Sequence, residues 1–138
     1  SKTTPTYDYV KAVNEELKKM DHVLLDYEWK GTINVGSTSG VGSSYTVASN
    51  SRIDSITGIS GQAVVGCMKD SEGFDGYMIA NAGNPESGAA TTGTITFNNA
   101  TRAIVYVKGE PEYVPLTNGS YKWNVDLGDG VFIIPLVK

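Results

Sequence analysis

The densest group of oxygen-bearing side chains is Asp70-Ser71-Glu72-Gly73-Phe74-Asp75. Calcium takes carboxylates and loop carbonyls as ligands, so Asp70, Glu72 and Asp75 are the candidate set. The stretch lacks the spacing of a full calcium loop, and a solvated hairpin turn with Gly73 in a left-handed position is the favoured, plainer reading. Glycosidic bond cleavage would need two carboxyl groups across one bond. Glu110, Glu112, Asp126 and Asp129 are near turns but form no motif, and 15 acids on a chain of 138 residues make chance pairs inevitable. Nucleophilic catalysis finds less still. The single imidazole, His22, falls on the polar side of a helical pattern, and the single thiol, Cys67, sits in an apolar run where it is expected to be inert. One Cys and one His are too few soft ligands for structural zinc. No phosphate loop, dinucleotide fingerprint or Gly-x-Ser-x-Gly motif occurs. No catalytic residue, metal or cofactor is therefore assigned.

Aromatic rings are the other route to function, because sugar rings stack on exposed Trp and Tyr faces. The pool is Trp29, Tyr45, Tyr77, Tyr113, Tyr121 and Trp123. Tyr121 and Trp123 share a strand face with Val125 and Leu127, which argues for the core. Tyr45 stands in a glycine-rich stretch, so Tyr45, Tyr113 and Trp29 are the candidate ligand-binding residues.

The elements that must position these groups follow from pattern. Thr4-Pro5 reads as a helix N-cap and first helical residue. Tyr9, Val10, Val13, Leu17, Met20 and Leu24 then fall on one arc, with Asp8, Lys11, Glu15, Lys18, Lys19 and His22 opposite. The pattern predicts an amphipathic helix over about residues 5–21. Acids balance bases on its polar side, which favours packing on protein over lying on a membrane. Tyr27 to Val35 reads as a strand, and Ser37 to Ser51 as a Gly, Ser and Thr rich surface loop. Short runs bounded by turn residues follow: Arg52–Ile59, Gln62–Lys69, Asp75–Ala82, Thr92–Phe97 and Ala103–Lys108. Asn118-Gly119 is a hairpin signal, since both central residues of a type I′ turn need positive φ. Beyond it, Tyr121 to Leu127 alternates strictly, whereas Val131 to Leu136 is apolar on both faces and must be covered on both sides.

These runs make a mainly β chain: an antiparallel two-sheet β-sandwich of about eight or nine strands over about residues 27–137. The N-terminal amphipathic α-helix is expected to pack on one sheet, over the strands that lack a polar face. All 138 residues read as one domain, and Ser1-Lys2-Thr3 looks like the cut edge of a larger product. A net charge of −4 with no basic cluster argues against nucleic acid, and no apolar run reaches membrane length.

Three segments together resemble the C-terminal part of certain bacterial multidomain glycoside hydrolases. They are YDYVKAVNEELKKMDHVLLDYEWKGT, GYMIANAGNP with Asn81 at the matching strand position, and RAIVYVKGEPEYVPLTNGSYKWNVDLGDGVFIIPL. The likeness covers Tyr7 to Gly36 and about Arg52 to Leu136, and includes no catalytic residue. In such enzymes the catalytic acids lie in an upstream barrel. The resemblance implies a non-catalytic accessory module that braces that barrel, its partner within the same polypeptide, with Tyr7, Leu25 and Tyr27 as interdomain contacts. The alternative is a carbohydrate-binding module that recognises glycan through exposed aromatics. Either suits a bacterial product on either side of the membrane, with a secreted or cell-surface location favoured slightly over a cytoplasmic one.

Overall fold

The computed structural model describes residues 27–36, 52–83 and 88–137. The predicted helix over 5–21, Tyr7, Leu25 and His22, and the loop with Tyr45 lie outside them. Nine strands follow in order: β1 (Tyr27–Gly36), β2 (Ile53–Ser60), β3 (Gln62–Asp70), β4 (Asp75–Asn81), β5 (Thr91–Phe97), β6 (Ala100–Val107), β7 (Glu110–Pro115), β8 (Ser120–Val125) and β9 (Gly130–Val137). They form two antiparallel sheets, one of six strands in the order β1-β3-β4-β9-β6-β7 and one of three in the order β2-β5-β8.

Side-chain pattern sorts the strands between the sheets. β5 alternates buried and half-buried residues along its whole length, and β8 ends in the same alternation, as a strand with one wet face should. Both belong to the three-stranded sheet. β3, β4 and β9, apolar on both faces, are adjacent in the interior of the six-stranded sheet. Between the sheets lies the main core. Val65, Cys67, Tyr77, Ile79, Ala103, Val105 and Ile133 from the large sheet meet Ile56, Ile95, Phe97, Trp123 and Val125 from the small one.

The turns carry the chain from sheet to sheet. Asn118 and Gly119 have φ of 52° and 80°, both positive as expected. Yet the hairpin expectation needs correcting: β7 pairs with β6 and β8 with β5, so this turn joins strands of different sheets. Only an isolated bridge, Thr117 to Ser120, closes across it. The physical reason is burial. The alternating β8 fits a sheet wetted on one side, and Gly119 accommodates a carbonyl of the neighbouring strand, where a Cβ would stand 2.7 Å from the Phe97 oxygen. Asn98-Asn99, with Asn99 at φ 54°, makes the same kind of crossing from β5 to β6.

The six-stranded sheet has a second apolar layer on the face turned away from the three-stranded sheet. Val64, Met68, Met78, Ala80 and Phe132 are buried there, flanked by half-buried Tyr27, Tyr106 and Ile134. These residues alternate along β3, β4 and β9 with those of the main core, so they point the other way. Tyr27 meets Phe132 edge to face at a centroid distance of 5.4 Å, a favoured aromatic geometry.

Candidate functional site

The acids of the β3–β4 turn do not converge. The Asp70 carboxylate folds back on its own turn and accepts the amide N–H groups of Glu72 (3.0 Å) and Phe74 (2.8 Å). Gly73 takes φ 91°, as the turn reading requires. Asp75 points inward and is buried. Its Oδ1 lies 2.8 Å from the Lys69 ammonium, and its Oδ2 accepts the Tyr77 hydroxyl (2.7 Å) and the Arg52 amide (3.1 Å). The Arg52 N–H is shared with the Tyr77 hydroxyl oxygen at 2.8 Å. Glu72 is left exposed on the turn. Among the described residues no three His, Cys, Asp or Glu side chains are grouped so as to hold a metal ion.

Other buried polar groups also have structural partners. Asn81, at the end of β4, donates through Nδ2 to the carbonyls of Ala89 (2.9 Å) and Val125 (3.0 Å) and accepts the Gly83 amide at 2.7 Å. Thr91 donates its hydroxyl to the Ser60 carbonyl and accepts the Trp123 indole N–H at 3.3 Å. Every buried side-chain nitrogen or oxygen among the described residues has a hydrogen-bond partner. The inward turn of Asp75 and the Asn81 clamp were missed by sequence reasoning. A lone amide closing the otherwise apolar run of β4 was the available signal for the second.

A shallow cleft of about 160 Å³ lies between the β6–β7 turn, β8 and the β8–β9 connection. Val107, Val125 and Val131 supply apolar surface, and Lys108, Tyr121, Asn124, Asp126 and Asp129 supply polar lining. Two of the paired-acid candidates thus meet here, in one tight turn where the Asp129 N–H donates to the Asp126 carbonyl. The other two, Glu110 and Glu112, are exposed on the edge strand β7. Burial, and then the charge of Glu112, push the Tyr121 phenol above its ordinary range. The phenol therefore stays protonated, and the rim can donate and accept hydrogen bonds to a polar ligand.

The aromatic candidates separate. Trp123 is 1% exposed and fills the core, as its strand face implies. Tyr113 is 73% exposed and Trp29 46%. Both lie on the outer face of the large sheet, since Trp29 is opposite Met68 and Tyr113 opposite Ile104, itself opposite Ile134. They occupy its two edge strands, β1 and β7. Five inter-strand steps of ~4.8 Å put about 24 Å between those edges. The two rings therefore do not form one platform for a single sugar. Trp29 instead sits against Gly66, where an added Cβ would come within 2.6 Å of its ring. Tyr27 lies half-buried beside Phe132, over Gly76.

Fold and surface together define an antiparallel β-sandwich whose buried polar groups serve its own architecture. No protein-family model, no curated protein and no solved structure matches the chain.

Proposed function

We propose that this chain is a non-catalytic accessory β-sandwich module of a bacterial glycoside hydrolase, bracing the catalytic barrel of the same polypeptide. The reading includes an amphipathic helix over 5–21 packed on one sheet. One observation carries it: large apolar side chains are exposed at the end of the six-stranded sheet where β1 begins. Phe74, 47% exposed, caps the turn next to Asp70, which is itself the register partner of Tyr27, and Trp29 follows two residues on. Exposed aromatic side chains beside the start of β1 are suitable anchors for a neighbouring domain. The buried polar side chains support the same view, because their hydrogen bonds are committed within the sandwich.

The test compares the barrel-plus-module polypeptide with its Phe74→Ser variant. The brace reading expects the barrel to melt about 4 °C or more lower, with the isolated chain equally stable in both forms. An unchanged barrel would overturn it. The second reading, a carbohydrate-binding module, draws on exposed Tyr113 and on the hydrogen-bonding rim at Tyr121. Titration with soluble glucans, galactans and xylans decides it. Millimolar or tighter binding, abolished by Tyr113→Ala or Trp29→Ala, would replace the brace with a sugar binder.

A further inference from the structure

We infer that the cleft between the β6–β7 turn and the β8–β9 connection is a binding subsite for one neutral sugar ring. This rests on the second reading above, that the chain binds glycan, and moves the site from the rings of Tyr113 and Trp29 to the polar rim at Tyr121.

The first argument is how the cleft arises. β8 is an edge of the three-stranded sheet and packs against β4 and β9. The six-stranded sheet continues past β9 to β6 and β7, so the step between sheets of unequal width leaves a concave corner. Val107, Val125 and Val131 supply its apolar surface. Its charged groups stand on tight turns. Lys108 and Gly109 have φ of 52° and 79° between the register partners Val107 and Glu110, the left-handed pair of a type I′ hairpin. In the β8–β9 connection the Asp129 N–H closes on the Asp126 carbonyl at 3.0 Å, and Gly128 takes φ 78°. The Asp129 carbonyl in turn accepts the Asn81 N–H at 3.2 Å. Groups fixed in this way before a ligand arrives lose little freedom on binding it.

The second argument is that these groups do nothing for the fold. Asp70, Asp75, Asn81 and Thr91 are each engaged at a turn or a strand end. Among the described residues, no hydrogen bond or ion pair engages the side chains of Lys108, Tyr121, Asn124, Asp126 or Asp129.

The third is which ligand the lining suits. A volume of about 160 Å³ lies below the ~300 Å³ of the smallest drug-sized pockets, so it takes one ring. Two carboxylates against one ammonium disfavour an anion. Among the described residues no three acidic, His or Cys side chains gather to hold a metal. An apolar ligand would strip water from the rim's charges without replacing it. A hydroxyl both donates and accepts. A neutral polyhydroxylated ring therefore serves Lys108 with its oxygens and Asp126 and Asp129 with its O–H groups, while its C–H face meets the valines. The Tyr121 phenol, kept protonated by burial and then by the charge of Glu112, adds a donor.

The test is a heteronuclear magnetic resonance titration of the full chain with soluble oligosaccharides of glucose, galactose and xylose. Oligogalacturonate serves as the acidic counterpart. Expected are amide shifts at 107–108, 121–126 and 129–131, with a millimolar or tighter Kd for a neutral sugar and binding about tenfold weaker for the acidic one. Asp126→Asn and Lys108→Asn, both at exposed positions, should each weaken the Kd about tenfold. Their location on separate turns guards against misfolding of either. Lys122→Gln, exposed on the outer face of the small sheet, should leave the Kd unchanged. Shifts centred on Tyr113 or Trp29 would overturn the cleft and leave the sugar-binding reading standing. No shift with any neutral sugar would overturn both. Equal or tighter binding of oligogalacturonate, or binding indifferent to the Asp126 and Lys108 variants, would overturn the assignment of a neutral ring to this cleft.

Discussion

At the scale of single residues, burial decides chemistry more than residue type does. Cys67 is the chain's one thiol, and it faces the core between the sheets. Burial, and then the charge of Asp75, push it up to about 11, from an ordinary 9.0. A thiol held in that state stays protonated near neutral pH. The shift also has a consequence for stability. Between pH 9 and about 11 the unfolded chain has released a proton that the folded chain keeps, so stability falls as pH rises. The contribution is whole below pH 9, is lost through about pH 11, and is on the order of 2 kcal/mol. Urea unfolding should therefore show a steeper fall in midpoint from pH 9 to 11 for the native chain than for Cys67→Ala. The raised Tyr121 phenol acts in the same direction and leaves a residual slope in the variant. Burial of Cys67 was legible from its apolar run. The inward turn of Asp75 was not, because a turn acid and a buried acid look alike until the Lys69 and Tyr77 partners are in place.

At the scale of elements, a few polar contacts hold strands that belong to different sheets. Asn81 ends β4 in the large sheet and donates to Val125, at the end of β8 in the small one, and to Ala89 just before β5. Its carbonyl receives Gly83 and so bends the chain out of β4. Replacing it with Leu leaves the buried Val125 carbonyl, and the part-buried Ala89 carbonyl and Gly83 amide, without this partner, at a cost of roughly 2–4 kcal/mol. Asn81→Leu should lower the denaturation midpoint accordingly. It should also speed hydrogen exchange at Gly83 at least tenfold, with the β1–β3 amides protected to the extent that global stability allows. Most strand limits were legible from runs and turn residues, and the left-handed Asn118-Gly119 pair was legible from its types alone. Partner choice was not. A type I′ dipeptide specifies local φ, whereas pairing across it depends on which sheet can bury the strands on either side.

At the scale of the whole molecule, two sheets of unequal width set the arrangement. The small sheet covers only part of one face of the large one, and its spacing from that face depends on Trp123. The indole lies over its register partner Gly93, where a Cβ would meet the ring at 2.3 Å. Gly93→Ala should push the ring towards the large sheet and cost roughly 1–3 kcal/mol. Chemical denaturation checks this, with a lower midpoint at an unchanged slope. The large sheet's exposed edge strand β7 carries Pro111 and Pro115, residues that discourage strand addition from another chain.

Sequence alone determined the strand inventory, the two kinds of strand and the demand for cover on both faces of β9, because period and apolarity are local properties. It also determined that Trp123 belongs inside, through the face it shares with Val125. Only the tertiary structure decided that strands joined by tight turns part into different sheets. It alone set the exposed rings of Trp29 and Tyr113 at opposite edges and brought Asp126 and Asp129 into one cleft with Tyr121. Those outcomes depend on contacts between residues far apart in the chain, and on burial summed over a whole sheet, which no single stretch encodes.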